Sequence, residues 1–392
     1  MTAVVLDHLA GNAIVGIIAF QIIVLLVVLS NALVLVRPGR DRVGAPTPLV
    51  SLLVPARDEA ANIQACVRSL LAQTYPNLEI IVLDDRSEDA TRTLLELERA
   101  RDGRLNVLAG EELPAGWTGK NWACHQLSLA ARGEVLLFAD ADTVFIEPDA
   151  VLAIVGGLQA HRVDLLSGLP KQVLGTLGET LVVPMFYWAL LSFTPLAAAL
   201  LWRRAPFARA VGQLMAFRRA AYDEVGGHAA VRGDIVEDIA LARRVARAGL
   251  ACRIVDATTI ASCRMYRSGR EAVAGFAKNL FAAFGYTILP YAFVWGWLAF
   301  VALEPIVMWA LHTAFPARVP VAPGLLIATF ALSLVQWVVA YARLRLPAWP
   351  AFLYPLTMIV FLAVAIRSFV DAVRRRTAWK GRRIARPRLR CF

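Results

Sequence analysis

Residues 13–36 contain no charged side chain, a run longer than the roughly 20 residues a bilayer core requires. That run ties the rest of the chain to a membrane. Arg37, Arg40 and Arg42 follow it, which places the downstream chain on the cytoplasmic side and the N-terminus outside. A cleaved signal peptide would have a shorter apolar region, with its basic residues in front. With 58% hydrophobic and 18% charged residues and a mean hydropathy of +0.57, the 392 residues fit a membrane protein with a soluble part.

Three more apolar runs, 281–315, 324–342 and 352–370, lie toward the C-terminus. Beyond them, residues 372–392 hold Arg374, Arg375, Arg376, Lys380, Arg382, Arg383, Arg386, Arg388 and Arg390 and no acidic residue, so this tail supplies most of the formal charge of +11. A juxtamembrane cluster of this kind is drawn to anionic lipid head groups and marks the cytoplasmic side. Basic residues do not alternate with aromatics elsewhere, which favours lipid or topology over a nucleic-acid partner. Three C-terminal crossings would nevertheless leave the tail outside. The tail's charge outweighs the count, and the break at Glu304-Pro305 makes the longest run a candidate for a re-entrant, interfacial or hairpin segment.

Residues 48–270 read as a soluble α/β domain. "LVSLLVP" (49–55), "LEIIVLDD" (78–85), a short stretch at 105–108 and "EVLLFAD" (134–140) are β-rich, and segments with apolar residues at helical spacing separate them. This alternation implies a mostly parallel sheet covered on both faces, with its ligand at the carboxyl ends of the strands. Acids fall at those ends: Asp58 and Glu59, Asp84 and Asp85, Asp140 and Asp142. A single acid there is commonly a helix N-cap, and Asp58 and Asp89 fit that reading. Three acidic strand ends on one edge point to chemistry.

No G-x-G-x-x-G follows the first strand and no G-x-x-x-x-G-K-[ST] occurs, so backbone amides are not arranged to cradle phosphate. A divalent cation, Mg²⁺ or Mn²⁺, held by one or two carboxylates and completed by water and substrate phosphates, does that work instead. In an extended strand Asp140 and Asp142 would face one side and share the ion; if the chain turns after Asp140, one of them would bind a ribose instead. The five cysteines, Cys66, Cys124, Cys252, Cys263 and Cys391, form no CxxC pair, which argues against a disulfide framework or zinc site and fits a reducing compartment.

A second acidic group opens the amphipathic "VEDIALARRVARAG" (236–249), where Glu237 and Asp238 sit at a helix N-terminus that favours ionised acids. Charge complementation alone would also place acids there. The stretch 180–204 is long enough to span, but crossing there would put Asp142 and Asp238 on opposite sides of the membrane. It is therefore expected in the interface or against the domain, broken at Pro184 and Pro195.

In this order, "VPARDEAANI", "LDDRSEDAT", "DAD" and "VEDIALARRVARAG" resemble the inverting family 2 glycosyltransferases of GT-A fold, a Rossmann-like, mostly parallel nucleotide-diphospho-sugar transferase domain. With "LPAGWTGKNWAC" (113–124), flanking spans and a closing "WKGR" (379–382), the chain is most similar to the hopanoid-associated membrane glycosyltransferases, with carotenoid and other lipid glycosyltransferases near it. The resemblance implies a metal-dependent hexosyl transfer from a nucleotide sugar to a lipid acceptor at the inner membrane, with the catalytic domain cytoplasmic. Pro55, Ala56 and Glu59 would line the nucleotide pocket, and Asp85 would take a uracil imide N–H. Lys120 and Asn121 would lie near the diphosphate or sugar, Asp140 and Asp142 would hold the metal, and Asp238, beside Glu237, would be the general base.

The Q-x-x-R-W motif of processive polysaccharide synthases is missing after the acid pair, which disfavours polymer synthesis. Arg264, Arg267 and Lys278 stand in its place as diphosphate contacts or membrane-surface anchors. A non-catalytic lipid-binding scaffold is the reading from a different class. The expected organisation is thus a transmembrane helix at 13–36, the GT-A domain at 48–270 with an interfacial segment at 180–204, transmembrane helices within 281–370, and a basic cytoplasmic tail at 372–392.

Overall fold

A computed structural model describes residues 2–39, 47–202, 204–315, 322–383 and 389–391. Arg40, Arg42, Arg386 and Arg388, used above to orient the chain, lie outside the described residues.

After α1 (Thr2–Val34) the chain alternates β1 (Val50–Ala56), α2 (Ile63–Leu71), β2 (Leu78–Asp84), α3 (Thr91–Arg101), β3 (Leu105–Ala109), α4 (Gly119–Ala130) and β4 (Val135–Ala139). Helix α2 shows why: Ile63, Cys66, Val67 and Leu70 recur at helical spacing and are all buried against the sheet. β1 pairs in parallel with β2 and β4, and β2 with β3, so the carboxyl ends of β1, β2 and β4 share one edge.

The second half runs β5 (Thr143–Phe145), α5 (Ala150–Ala160), β6 (Leu165–Leu169), β7 (Lys171–Gln172), α6 (Leu177–Phe193), α7 (Leu196–Trp202), β8 (Leu214–Arg218), α8 (Arg219–Glu224), α9 (Glu237–Arg247), β9 (Cys252–Asp256) and β10 (Ala261–Cys263). β8 enters antiparallel between β4 and β6, giving the order β3-β2-β1-β4-β8-β6-β9, while β5, β10 and β7 form a small second sheet. The sheet is therefore mostly parallel with one reversed strand. That strand starts just past the carboxyl end of β4 and brings its own approach segment, Val211 to Gln213, to the site edge.

The C-terminal part consists of α10 (Gly269–Ala283), α11 (Ile288–Ala314), α12 (Pro323–Arg343), α13 (Tyr354–Val373) and a small hairpin, β11 (Ala378–Trp379) with β12 (Arg382–Arg383). Among the described residues α1, α11, α12 and the segment ending in α13 are long and apolar enough to cross a membrane; α6 and α7 qualify only as a pair bent by 49°. Pro184 lies inside α6 and Pro195 opens α7, so the bend falls at the second of the two prolines. Pro305 lies within a continuous α11, so Glu304-Pro305 does not divide that run.

Side-chain contacts fix the helix directions. α1 and α12 run in parallel, with Gln21 donating to Ser333 Oγ (2.8 Å) and Arg343 donating to the Ala32 carbonyl (2.9 Å). α11 runs against α12, since Trp309 meets Phe330 while Leu298 and Ala302 line one cavity with Trp337. α11 also runs against α13: Tyr291 donates to the Ala365 carbonyl (2.9 Å), and the Trp295 and Phe361 rings lie 6.3 Å apart. α12 and α13 consequently point the same way, with Tyr354 beside Trp337. Both end against the α/β domain, so α13 adds no reversal and the tail emerges on the domain's side. Hydropathy alone counts α13 as a further crossing; its direction removes the conflict between the number of runs and the charge of the tail.

One carboxylate fastens the membrane helices to the sheet. Asp256 ends β9 with a fully buried side chain that accepts from Arg37 Nε (3.0 Å), Thr258 and Arg343. Arg343 also donates to the Ala32 carbonyl in the last turn of α1 and to the Leu35 carbonyl just beyond it.

Candidate active site

The chain leaves β4 at Ala139 and turns at once, with the Thr143 N–H donating to the Asp140 carbonyl (2.9 Å). The turn sends the two aspartates to different partners. Asp140 Oδ1 lies 2.7 Å from Lys120 Nζ, and Asp142 Oδ1 accepts from Cys263 Sγ (3.3 Å). Lys120 comes from the first turn of α4, where Thr118 Oγ1 caps the helix by accepting from the Asn121 N–H. Its ammonium also reaches Glu237 Oε1 at 2.8 Å, so one cation bridges the end of β4 and the start of α9.

Glu237 and Asp238 are neighbours with opposite environments. Burial works against the charge of Glu237, but Lys120 outweighs it and holds the carboxyl below its ordinary range. Burial and the adjacent Glu237 push Asp238 up to about 7. Asp238 accepts from the Gly212 N–H (2.9 Å) and the Ile239 N–H (2.7 Å), which fix its orientation. Two adjacent acids therefore differ in role: one stays ionised as a partner for Lys120, and the other is poised to take a proton near neutral pH.

Burial, Asp140 and Glu59 together push Asp142 up to about 7 as well. Among the described residues no group of three His, Cys, Asp or Glu side chains forms a closed protein cage. Two crowded carboxylates at a strand end fit Mg²⁺ or Mn²⁺ better, since these ions draw the rest of their shell from water and phosphate. A cation there would relieve the repulsion that raises Asp142.

At the ends of β1 and β2, Pro55 and Ala56 lie in the strand, and the Ala56 carbonyl accepts from the Asp85 N–H (2.7 Å). Asp85 is buried and forked by Arg382, at 2.6 Å from Nη1 to Oδ2 and 3.1 Å from Nη2 to Oδ1. Burial raises its pKa, against the pull of Arg382. Glu59 accepts from Asn62 Nδ2 (2.8 Å) and pairs with Lys380. Asp58 and Asp89 serve the backbone, accepting from the Glu88 N–H (2.8 Å) and the Thr91 N–H (2.9 Å).

Several residues expected at the diphosphate are placed elsewhere. Asn121 is fully buried and donates to the Val231 (2.7 Å) and Asp234 (3.0 Å) carbonyls, so it anchors the segment before α9. Arg264 pairs with buried Glu179 (3.2 Å), and Arg267 donates to the Ala61 carbonyl (2.7 Å) and Asn62 Oδ1 (2.6 Å). Lys278 stays with the cluster: burial lowers its pKa to about 8 while Glu237 pulls the other way.

The structure adds residues that local sequence patterns do not mark. Gly212 leaves room for Lys120, whose ammonium would lie 2.9 Å from a Cβ at that position. A buried chain of hydrogen bonds runs from Tyr187 of α6 through Gln213 (3.1 Å) and Cys263 (3.2 Å) to Asp142, linking the bent apolar helix pair to the end of β4. Lys380 and Arg382 arrive from the tail, about 300 residues away in sequence from the acids they meet.

Residues 51–226 match the profile of Glycosyl transferase family 2. The chain is 26% identical to a 4,4'-diaponeurosporenoate glycosyltransferase of Staphylococcus haemolyticus over 247 residues, 62% of this chain and 63% of that protein. A Staphylococcus aureus protein of the same name is 25% identical over 245 residues, 61% of this chain and 62% of its own length. The match thus spans less than two thirds of these relatives. Among solved structures, the mannosyltransferase PcManGT from Pyrobaculum calidifontis, in complex with GDP-Man and Mn²⁺, aligns with a TM-score of 0.54 at 19% identity, covering 92% of this chain and 99% of that one. The sheet with its flanking helices is a GT-A fold.

Proposed function

We propose that a chain built on a glycosyl transferase family 2 domain, as this one is at residues 51–226, is a membrane-bound inverting glycosyltransferase that moves a sugar from a nucleotide donor to an isoprenoid lipid. The donor is a uridine nucleotide sugar whose base lies at Asp85 and whose nucleotide lies along Pro55, Ala56 and Glu59. Mg²⁺ or Mn²⁺ at Asp140 and Asp142 would neutralise the charge gathering on the leaving diphosphate. Asp238 takes the proton from the acceptor hydroxyl as its oxygen bonds to the anomeric carbon and the bond from that carbon to the diphosphate breaks on the opposite side.

The observation that carries this reading is the divergence of Glu237 and Asp238, one held ionised by Lys120 and the other raised to about 7, across from the paired aspartates. The named relatives act on diaponeurosporenoate, an isoprenoid acid, which supports a lipid acceptor of hopanoid or carotenoid type. The bent α6–α7 pair, tied to Asp142 through Tyr187, Gln213 and Cys263, supports delivery of that acceptor from the bilayer surface. We place the domain and the basic tail on the cytoplasmic side of the inner membrane, with α1, α11 and α12 as the crossings.

Membranes incubated with labelled nucleotide sugars and Mg²⁺ or Mn²⁺, then extracted with organic solvent, test the reading. Label is expected in a lipid fraction from wild type, and Asp142→Ala and Asp238→Asn are expected to lower it by about 10²–10⁴-fold. Label that stays in polymer, or no label with any donor, would sink the proposal.

A further inference from the structure

The tail hairpin meets the donor edge with a specific chemistry. β11 and β12 pair at only two positions, Ala378 with Arg383 and Trp379 with Arg382, across a two-residue turn at Lys380 and Gly381. Both turn residues have positive φ (45° and 76°), the pattern of a tight hairpin turn, which Gly381 adopts freely and Lys380 adopts under strain. So short a hairpin is not stable alone. It is held by its ends: Lys380 donates to Glu59 and to the Arg57 carbonyl (2.6 Å), Arg57 Nε donates to the Lys380 carbonyl (3.3 Å), and Arg382 forks Asp85.

Two facts set what this arrangement can do. The fork engages both oxygens of Asp85, so a base N–H has to compete with Arg382 for that carboxylate. The guanidinium also lies over the start of α4: a Cβ at Gly119 would stand 2.7 Å from Arg382 Nη1 and 3.3 Å from Asp85 Oδ2. The next residue is Lys120, which holds Asp140. Arg382 thus lies on Asp85 and beside the start of α4, one residue from the lysine that pairs with Asp140, where a diphosphate running from the proposed base end to the proposed metal end would pass it. A guanidinium matches the geometry of phosphate oxygens as well as it matches a carboxylate.

We infer that the hairpin is an exchangeable wall of the donor pocket: Arg382 and Lys380, which pair with Asp85 and Glu59, pass to the donor's diphosphate when a nucleotide enters. The inference rests on the proposed uridine-nucleotide reading. It assigns donor binding to two residues that lie outside the family 2 domain and makes recognition of the base depend on a diphosphate being present to draw Arg382 away.

Full-length protein in detergent, titrated with UDP or with uridine in the presence of Mn²⁺, separates the two ideas. Arg382→Ala is expected to weaken UDP binding by roughly tenfold or more, as loss of a charge-assisted pair would, and to tighten uridine binding several-fold because Asp85 is released. Lys380→Gln is expected to weaken UDP and leave uridine unchanged. If Arg382→Ala loses both ligands, Arg382→Lys, which keeps the charge without the fork, decides by the same opposite shifts. Wild type that binds UDP, with Arg382 variants that bind both ligands as wild type does, overturns the hairpin's role alone. Wild type that binds neither ligand overturns the donor reading and the inference with it.

Discussion

The two ends of the site edge balance their charge differently. At the β1 and β2 end the two acids of the proposed nucleotide pocket each have their own cation, Glu59 with Lys380 and Asp85 with Arg382. At the β4 and α9 end the acids are crowded around shared cations: Lys120 pairs with both Asp140 and Glu237, and Lys278 lies in the same cluster, while Asp142 and Asp238 are bonded to a thiol and to backbone N–H groups and are raised to about 7. The neutralised end suits recognition, because a ligand can trade places with a cation at little electrostatic cost. The under-compensated end suits chemistry, because it attracts a divalent cation and holds a proton acceptor near neutrality.

Removing the cation that bridges Asp140 and Glu237 breaks this contrast most severely. Lys120→Met leaves Asp140 and Glu237 repelling Asp142 and Asp238, and the rate of lipid glycosylation is expected to fall about 10²-fold, with the rising limb of the pH profile moved upward. The companion measurement is the same profile for Lys380→Gln, which should keep the wild-type limb.

A stability measurement sharpens the contrast without any turnover. Asp142 binds its proton more tightly in the folded protein than in the unfolded chain, so folded stability falls as pH rises from its ordinary 3.8 toward about 7. In metal-free protein Asp142→Asn is expected to remove that slope and stabilise by about 1 kcal/mol above neutral pH, read by thermal unfolding while activity is lost. The smallest effect is expected at Gly212→Ala. Its new methyl displaces the end of the flexible Lys120 side chain, lowering transfer roughly threefold to tenfold with Tm unchanged.

The parallel part of the sheet was legible because its signals are local. β1, β2 and β4 are mainly apolar runs with acids at or just past their carboxyl ends, and α2 to α4 repeat apolar residues at helical spacing. The same locality made Asp85, Asp140, Asp142, Glu237 and Asp238 stand out. What stayed hidden depends on contacts between distant segments. The reversed β8 brings Gly212 to Lys120, Cys263 reaches Asp142 through the small second sheet, and the tail crosses most of the sequence to meet Asp85. The side-chain partners of Asn121 and Arg264 stayed hidden for the same reason: no spacing announces the carbonyls of Val231 and Asp234 or the carboxylate of Glu179. Hydropathy measured the length of α13 and not its direction, which only its pairing with α11 reveals.

The division between Glu237 and Asp238 is tested most directly by the pH dependence of sugar transfer to extractable lipid, measured with saturating Mg²⁺ in wild type and in Asp238→Asn. An acid raised to about 7 that must be ionised to accept a proton predicts a rate that climbs through that pH in wild type, and a residual rate without that climb in the variant. A wild-type rate that is flat across neutral pH, or a climb that survives unchanged in Asp238→Asn, would contradict the assignment of Asp238 as the base.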